Sequence, residues 1–235
     1  MDAFLEDNAS FVMFSGEHLA VLICVVLLSV VLPLFARRRL NAKQQLHLGR
    51  GMSVLISGTL VAWSGVALSM GHYDWTDDLP IHLCYGLSLF LPVFAWKPGL
   101  RTHEVLFYWI LSGTLQANLT PRLHESFPHY DFIYYWVTHS GILIYAIYTT
   151  VTQRLYPTRR GILRAFAWIN VYAAAIFVIN SLAGTNYLYL REKPETASLL
   201  DFFGPWPWYI LVTEIAALLL FGLCYLPFAF IKRSS

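Results

Sequence analysis

The sequence predicts an all-α polytopic membrane protein: one bundle of seven transmembrane helices, N-terminus outside and C-terminus cytoplasmic. Three observations predict it. First, 57% of the 235 residues are hydrophobic and 13% are charged, with a mean hydropathy of +0.54; soluble domains are roughly a quarter charged, so lipid is the expected solvent. Second, apolar stretches of about 17–25 residues, each enough to cross or nearly cross a hydrocarbon core, recur along the whole chain. Third, the basic residues are sorted between the connections in strict alternation.

In chain order the stretches cover residues 18–35, 49–71, 79–96, 103–119, 132–152, 162–184 and 206–231. The first follows the acidic segment "MDAFLEDNAS" and lacks a basic n-region, so no cleavable signal peptide is expected. The third opens after Pro80 and is expected to break at Pro92. The fourth is the shortest. The seventh is entered through "GPWPWY" (204–209), whose tryptophans and tyrosine suit an interfacial aromatic belt. No long linker or internal repeat divides the chain, so residues 1–235 are read as a single domain.

Orientation comes from the connections. Arg37, Arg38, Arg39, Lys43 and Arg50 follow the first span, Lys97 and Arg101 the third, and Arg154, Arg159, Arg160 and Arg164 the fifth; Lys232 and Arg233 close the chain. Only Arg122, Arg191 and Lys193 fall on the other side. The positive-inside rule then sets the topology. A net charge of +2, placed this way, argues against a nucleic-acid partner and for contacts with anionic headgroups.

Polar residues inside the spans gather at one depth. Cys84 lies about 8 Å below the outer surface, His139 about 10 Å and Glu214 about 10–12 Å. Gln116 and Asn118 end the fourth span, and Asn180 and Ser181 the sixth, on the same side. Such groups are costly in lipid unless they face protein or water, so the layer implies a cavity open to the outer face. Asn170, Ser29 and Ser53 are most of what the inner half offers. Gln116 and Asn180 equally suit interhelical hydrogen bonding. Cys24 and Cys224, among aliphatic neighbours, are read as packing residues.

Cys84 differs because it sits in the first turn of its helix beside His82. Residues two apart on a regular helix point away from each other, so His82 is a poor base for Cys84 unless Pro80 delays the helix start. His139, from another span at matching depth, is the better candidate. The helix start itself favours a thiolate and offers N–H groups to an oxyanion. "RLHESFPHYD" (122–131) carries His124, Glu125, His129 and Asp131, but its spacing matches no metal pattern; a solvated loop is expected, with no metal and no cofactor.

"LPIHLC" at 79–84, "YYWVTHSG" at 134–141 and "GTNYLYLREKP" at 184–194 resemble, in that order, the bacterial YwaF-like integral membrane proteins. That family is similar to an animal multispan phospholipid acyltransferase working through an intramembrane cysteine and a histidine. The resemblance implies a bacterial plasma-membrane protein with phospholipids as partners, in which Cys84 accepts the acyl group and His139 is its base. In the animal relative the histidine directly follows the cysteine, whereas here His82 precedes Cys84.

The expected activity is therefore transfer of a phospholipid acyl chain, or its hydrolysis, through a Cys84 thioester. His82, Gln116, Asn118, Asn180 and Glu214 would support the site. Asn186, Tyr187, Tyr189, Arg191 and Lys193, two of them basic, would suit a phosphate headgroup at the cavity mouth. The rival expectation is a transporter or binding protein for a small polar or lipid solute using the same layer. Its weakness is the nearly apolar inner half and the lack of paired broken helices.

Overall fold

A computed structural model describes residues 10–194 and 198–230; the basic pair Lys232 and Arg233, the end of the seventh stretch and the acidic residues before Ser10 lie outside them. Among the described residues the chain forms seven α-helices: α1 Gly16–Arg39, α2 Ala42–Met70, α3 Leu83–Trp96, α4 Leu100–Leu119, α5 Tyr130–Thr152, α6 Arg159–Ala183 and α7 Trp208–Ala229. Short 3₁₀ turns at Tyr187–Tyr189 and Leu199–Phe203 lie between α6 and α7. The connections α2–α3, α4–α5 and α6–α7 meet at one end of the bundle, called upper below: Tyr187 Oη donates to the Trp75 carbonyl and Arg122 donates to the Tyr189 hydroxyl. The other three meet at the lower end.

The helix starts explain where apolar stretch and helix differ. α2 begins well before its apolar stretch because Asn41 and Gln44 form a reciprocal capping box. The Ser15 and Thr158 side chains cap α1 and α6. α4 begins at Leu100, which carries His103 and Glu104 into the helix body. Both are buried, at 3% and 1% exposure. The lower half is thus less bare than expected: His103 Nε2 bonds Thr150 Oγ1 at 2.8 Å, and Arg164 donates to Glu104.

Pro92 does not interrupt its helix, since α3 continues through it to Trp96. A proline inside a helix loosens the carbonyls of the preceding turn. Ser57 of α2 donates to one of these, Leu89 C=O, at 3.0 Å. α1 and α7 likewise continue through Pro33 and Pro227.

α5 is the centre. It packs against α1, α2, α3 and α4, and sixteen of its 23 residues are buried. The main apolar cluster joins Ile142, Leu143 and Ala146 of α5 to Leu87 and Leu91 of α3, Ile110 of α4 and Ile56 of α2. Ile56 touches the α5 backbone at Gly141, where a Cβ would lie 2.8 Å from Ile56 Cγ1. Four helices, α1, α2, α6 and α7, are long and apolar enough to cross a membrane, and they expose aliphatic faces such as Val26 and Val30 of α1 and Leu219 and Leu223 of α7. α3 has only 14 residues.

Candidate functional site

The local chain at the start of α3 sets the site. His82 is the N-cap residue, yet its side chain makes no cap hydrogen bond and the first turn holds no acidic residue. The positive end of the helix dipole at Leu83–Tyr85 is therefore left without a counter-charge from its own cap. The entry is tight: Tyr172 of α6 donates to the Ile81 carbonyl at 2.7 Å. A Cβ on Gly86 would lie 3.3 Å from both the Pro80 oxygen and the Tyr172 hydroxyl.

Cys84 sits in this turn, partly buried. Its Sγ lies 3.9 Å from Oγ1 of Thr114, a fully buried residue of α4.

His139 comes from α5 at a comparable level. Its Nδ1 lies 3.0 Å from the Tyr135 carbonyl oxygen. A carbonyl only accepts, so Nδ1 carries the proton and Nε2 is the basic nitrogen of the neutral ring. The imidazole stacks on Tyr135 at 4.2 Å and meets Tyr85 edge-on at 5.2 Å. No hydrogen bond joins Cys84 to His139 among the described residues; the ring that meets the imidazole belongs to Tyr85, the sequence neighbour of the cysteine.

Above this pair stands a column of rings. Trp63 stacks on Tyr134 at 4.4 Å, Tyr134 on Tyr85 at 5.3 Å, and Tyr85 touches His139. Trp63 Nε1 donates to Asp131. The column's upper end opens into two adjoining cavities of about 340 and 170 Å³ that share Trp63, His124, Glu125 and Asp131. Tyr85, Tyr134 and Tyr135 line the smaller one with Arg122. His72, Asp78 and His129 line the larger. Burial raises the Asp78 carboxyl above its ordinary value. The described residues contain no group of three His, Cys, Asp or Glu arranged to hold a metal ion.

His82 turns away from the cysteine. Its Nε2 lies 3.4 Å from Asp77 Oδ1, and its ring packs on Tyr187 at 5.1 Å and Tyr189 at 5.9 Å. The bond from His82 lowers the Asp77 carboxyl below its ordinary value.

Asn118 is buried and fully engaged. It donates to the Thr114 carbonyl, accepts from Ser140 at 2.6 Å, and its own carbonyl pairs with buried His18 Nε2 at 2.9 Å. Gln116 is exposed on the opposite face of α4. Asn180 spends its amide on the turn after α6: Oδ1 accepts from Tyr187 N and Thr185 Oγ1, and Nδ2 donates to the Tyr187 carbonyl, all at 2.9 Å. Glu214 accepts from Asn170 Nδ2 at 2.9 Å, away from the cysteine. No hydrogen bond or ring contact joins Gln116, Asn180 or Glu214 to Cys84 or His139 among the described residues.

The α6–α7 segment is knitted to itself. Asn186 accepts from Arg191 N and donates to the Glu192 carbonyl. Arg191 reaches the Asn180 and Thr185 carbonyls, and Lys193 the Asp201 carbonyl. Leu188 and Tyr189 adopt left-handed backbone, with φ of 59° and 53°, a conformation that costs residues with a Cβ. The segment lies over His82, at the approach to the α3 start.

Sequence reading passed over Thr114, Tyr85, Tyr134, Tyr135, Trp63 and His18. The aromatic run "YDFIYYW" (130–136) was the available signal, since so many tyrosines on one membrane helix need partners for their hydroxyls.

The model of the TMEM164 family matches residues 13–225, which include all of α1 to α6 and most of α7. No curated protein and no solved structure matches the chain.

Proposed function

Since the chain belongs to the TMEM164 family and is a membrane protein with several apolar helices, we propose that it is a seven-span enzyme moving phospholipid acyl chains through Cys84. Its upper end would face outside, and its placement would be the plasma membrane. The observation that carries the reading is the position of Cys84 at the uncapped start of α3, one residue from the ring that His139 touches. The motif resemblance to YwaF-like proteins and to the animal acyltransferase supports the same chemistry.

In the forward step His139 Nε2 takes the thiol proton, directly or through the Tyr85 hydroxyl. The Cys84 sulfur adds to the ester carbonyl of a phospholipid, whose developing oxyanion faces the N–H groups of the α3 first turn. Collapse breaks the ester C–O bond, and the lysophospholipid leaves with the proton returned by His139. An acceptor hydroxyl, or water, then gives its proton to His139 and attacks the thioester, restoring the thiol. No hydrogen bond joins sulfur and imidazole among the described residues, and catalytic hydrogen bonds often tighten only with substrate present. Arg122 on the wall of the smaller upper cavity, with Arg191 and Lys193 of the segment over His82, would be the basic groups that meet a phosphate headgroup.

Intact mass of the purified protein before and after neutral hydroxylamine tests the reading. An acyl-sized adduct is expected on wild type, lost with hydroxylamine, absent from Cys84→Ala and retained in Cys224→Ala. Acyl transfer by Cys84→Ala at the wild-type rate would sink it.

A further inference from the structure

The lower end of the bundle holds a cavity of about 600 Å³, larger than either upper one. Four arginines line it, Arg101 of α4 and Arg159, Arg160 and Arg164 of α6, against a single acid, Glu104. Four guanidinium groups and one carboxylate leave the wall formally at +3. Leu100, Tyr225 and Phe228 give it an apolar side.

Two features separate this cluster from the basic residues that only orient a membrane protein. The first is the sign of the helix ends. Arg37, Arg38 and Arg39 occupy the last turn of α1, where the dipole favours cations. Arg101, Arg159 and Arg160 occupy the first turns of α4 and α6, and neither first turn holds an acidic residue. Cations there oppose the dipole, so two positive helix ends and three positive side chains face one space in which Glu104, already paired with Arg164, is the one carboxylate among the described lining residues.

The second feature is a braced wall. Glu104 is 1% exposed and holds Arg164 in a charge-assisted pair across α4 and α6. The helices approach so closely that a Cβ on Gly161 would lie 2.7 Å from Glu104 Cδ. Trp109 Nε1 donating to the Ala165 carbonyl and Tyr108 to the Thr158 carbonyl, both at 2.9 Å, fix the same two helices. The arginines therefore project from a rigid frame rather than from a loose loop, and rigid forks suit phosphate oxygens.

We propose that this cavity binds a phosphate group, through Arg101, Arg159 and Arg160 with Arg164 behind them. The site is distinct from the Cys84 site: Glu104 and Thr114 are ten residues apart on α4, about 15 Å along its axis. The phosphate belongs to an anionic lipid headgroup or to a soluble phosphate ester; the apolar side formed by Leu100 and Phe228 is where acyl chains would lie in the first case.

Calorimetric titration of the full chain in detergent micelles tests this, with dihexanoyl phosphatidylglycerol and glycerol 3-phosphate as separate probes. Binding of at least one probe is expected, weakened about ten-fold or more in R101Q/R159Q/R160Q and less than two-fold in R37Q/R38Q/R39Q, which removes the same charge elsewhere. Ten-fold corresponds to about 1.4 kcal/mol, below one charge-assisted hydrogen bond. Binding of the lipid alone identifies a headgroup site; competition by glycerol 3-phosphate identifies a soluble ester. Equal weakening in both triple variants would reduce the effect to diffuse surface attraction and overturn the proposal, as would no binding of either probe. Should the cavity triple fail to fold, exposed Arg101→Gln alone is expected to weaken binding, and an unchanged affinity there would overturn it too.

Discussion

The base role proposed for His139 rests on a backbone atom. The Tyr135 carbonyl fixes the proton on Nδ1, so the basic lone pair sits on Nε2 whatever the substrate does. His139→Gln keeps a polar group but loses the proton shuttle, and acyl transfer is expected to fall by roughly 10²–10⁴-fold in a radiolabelled-lipid assay with the fold unchanged by circular dichroism. A loss below about two-fold would assign the base elsewhere. Asp77 and His82 give a pH signature of a different kind. The bond from His82 lowers Asp77, so its contribution to stability is present above the ordinary aspartate value near pH 4 and is lost as pH falls through the lowered folded value. Burial raises Asp78, and its contribution runs the other way, lost as pH rises through its folded value. Thermal midpoints between about pH 3 and 5 are expected to fall less steeply in Asp77→Asn than in wild type; parallel acid limbs would show that the pair does not couple to folding.

At the scale of the element, the stretch after α6 shows how one amide can organise a loop. Asn180 ties the Thr185 side chain and both backbone groups of Tyr187 to the helix end, with Gly184 supplying the left-handed residue at φ 72°. Asn180→Ala removes these three bonds, and a local cost of about 2–3 kcal/mol is expected. Limited proteolysis would read it as faster cleavage near Glu192; an unchanged rate would mean that the bonds to Arg191 hold the loop alone. Helix bodies are legible in the sequence because lipid demands long apolar runs. The ends are less so: hydropathy stops at polar first turns, and Lys43, Gln44, Arg101 and Thr102 all lie inside helices. The site divides in the same way. Pro80 announces the α3 start, and depth brings Cys84 near the level of His139. Depth does not say which way a helix is rotated, however. Gln116 therefore faces outward, Glu214 meets Asn170, and Asn118 serves His18 and Ser140 instead of the imidazole.

For the molecule as a whole, the proposed topology puts the α6–α7 segment outside and the three-residue α3–α4 connection inside. In a cysteine-free background, Glu192→Cys is expected to react with a membrane-impermeant maleimide in intact cells, and Lys97→Cys only after permeabilisation; the reverse order would invert the bundle. The central place of α5 has a consequence for how the chain is made. Its buried face carries Tyr134, Tyr135, Thr138, His139 and Ser140, and neither it nor α4 is among the helices apolar enough to cross a membrane by themselves. A ribosome emits helices one at a time, and a segment this polar gains little from lipid until protein surrounds it. α1, α2 and α3, which supply much of that surround, emerge first. In the proposed seven-span arrangement α5 is therefore expected to enter the bilayer as a passenger of earlier helices, which would make insertion of this protein cooperative.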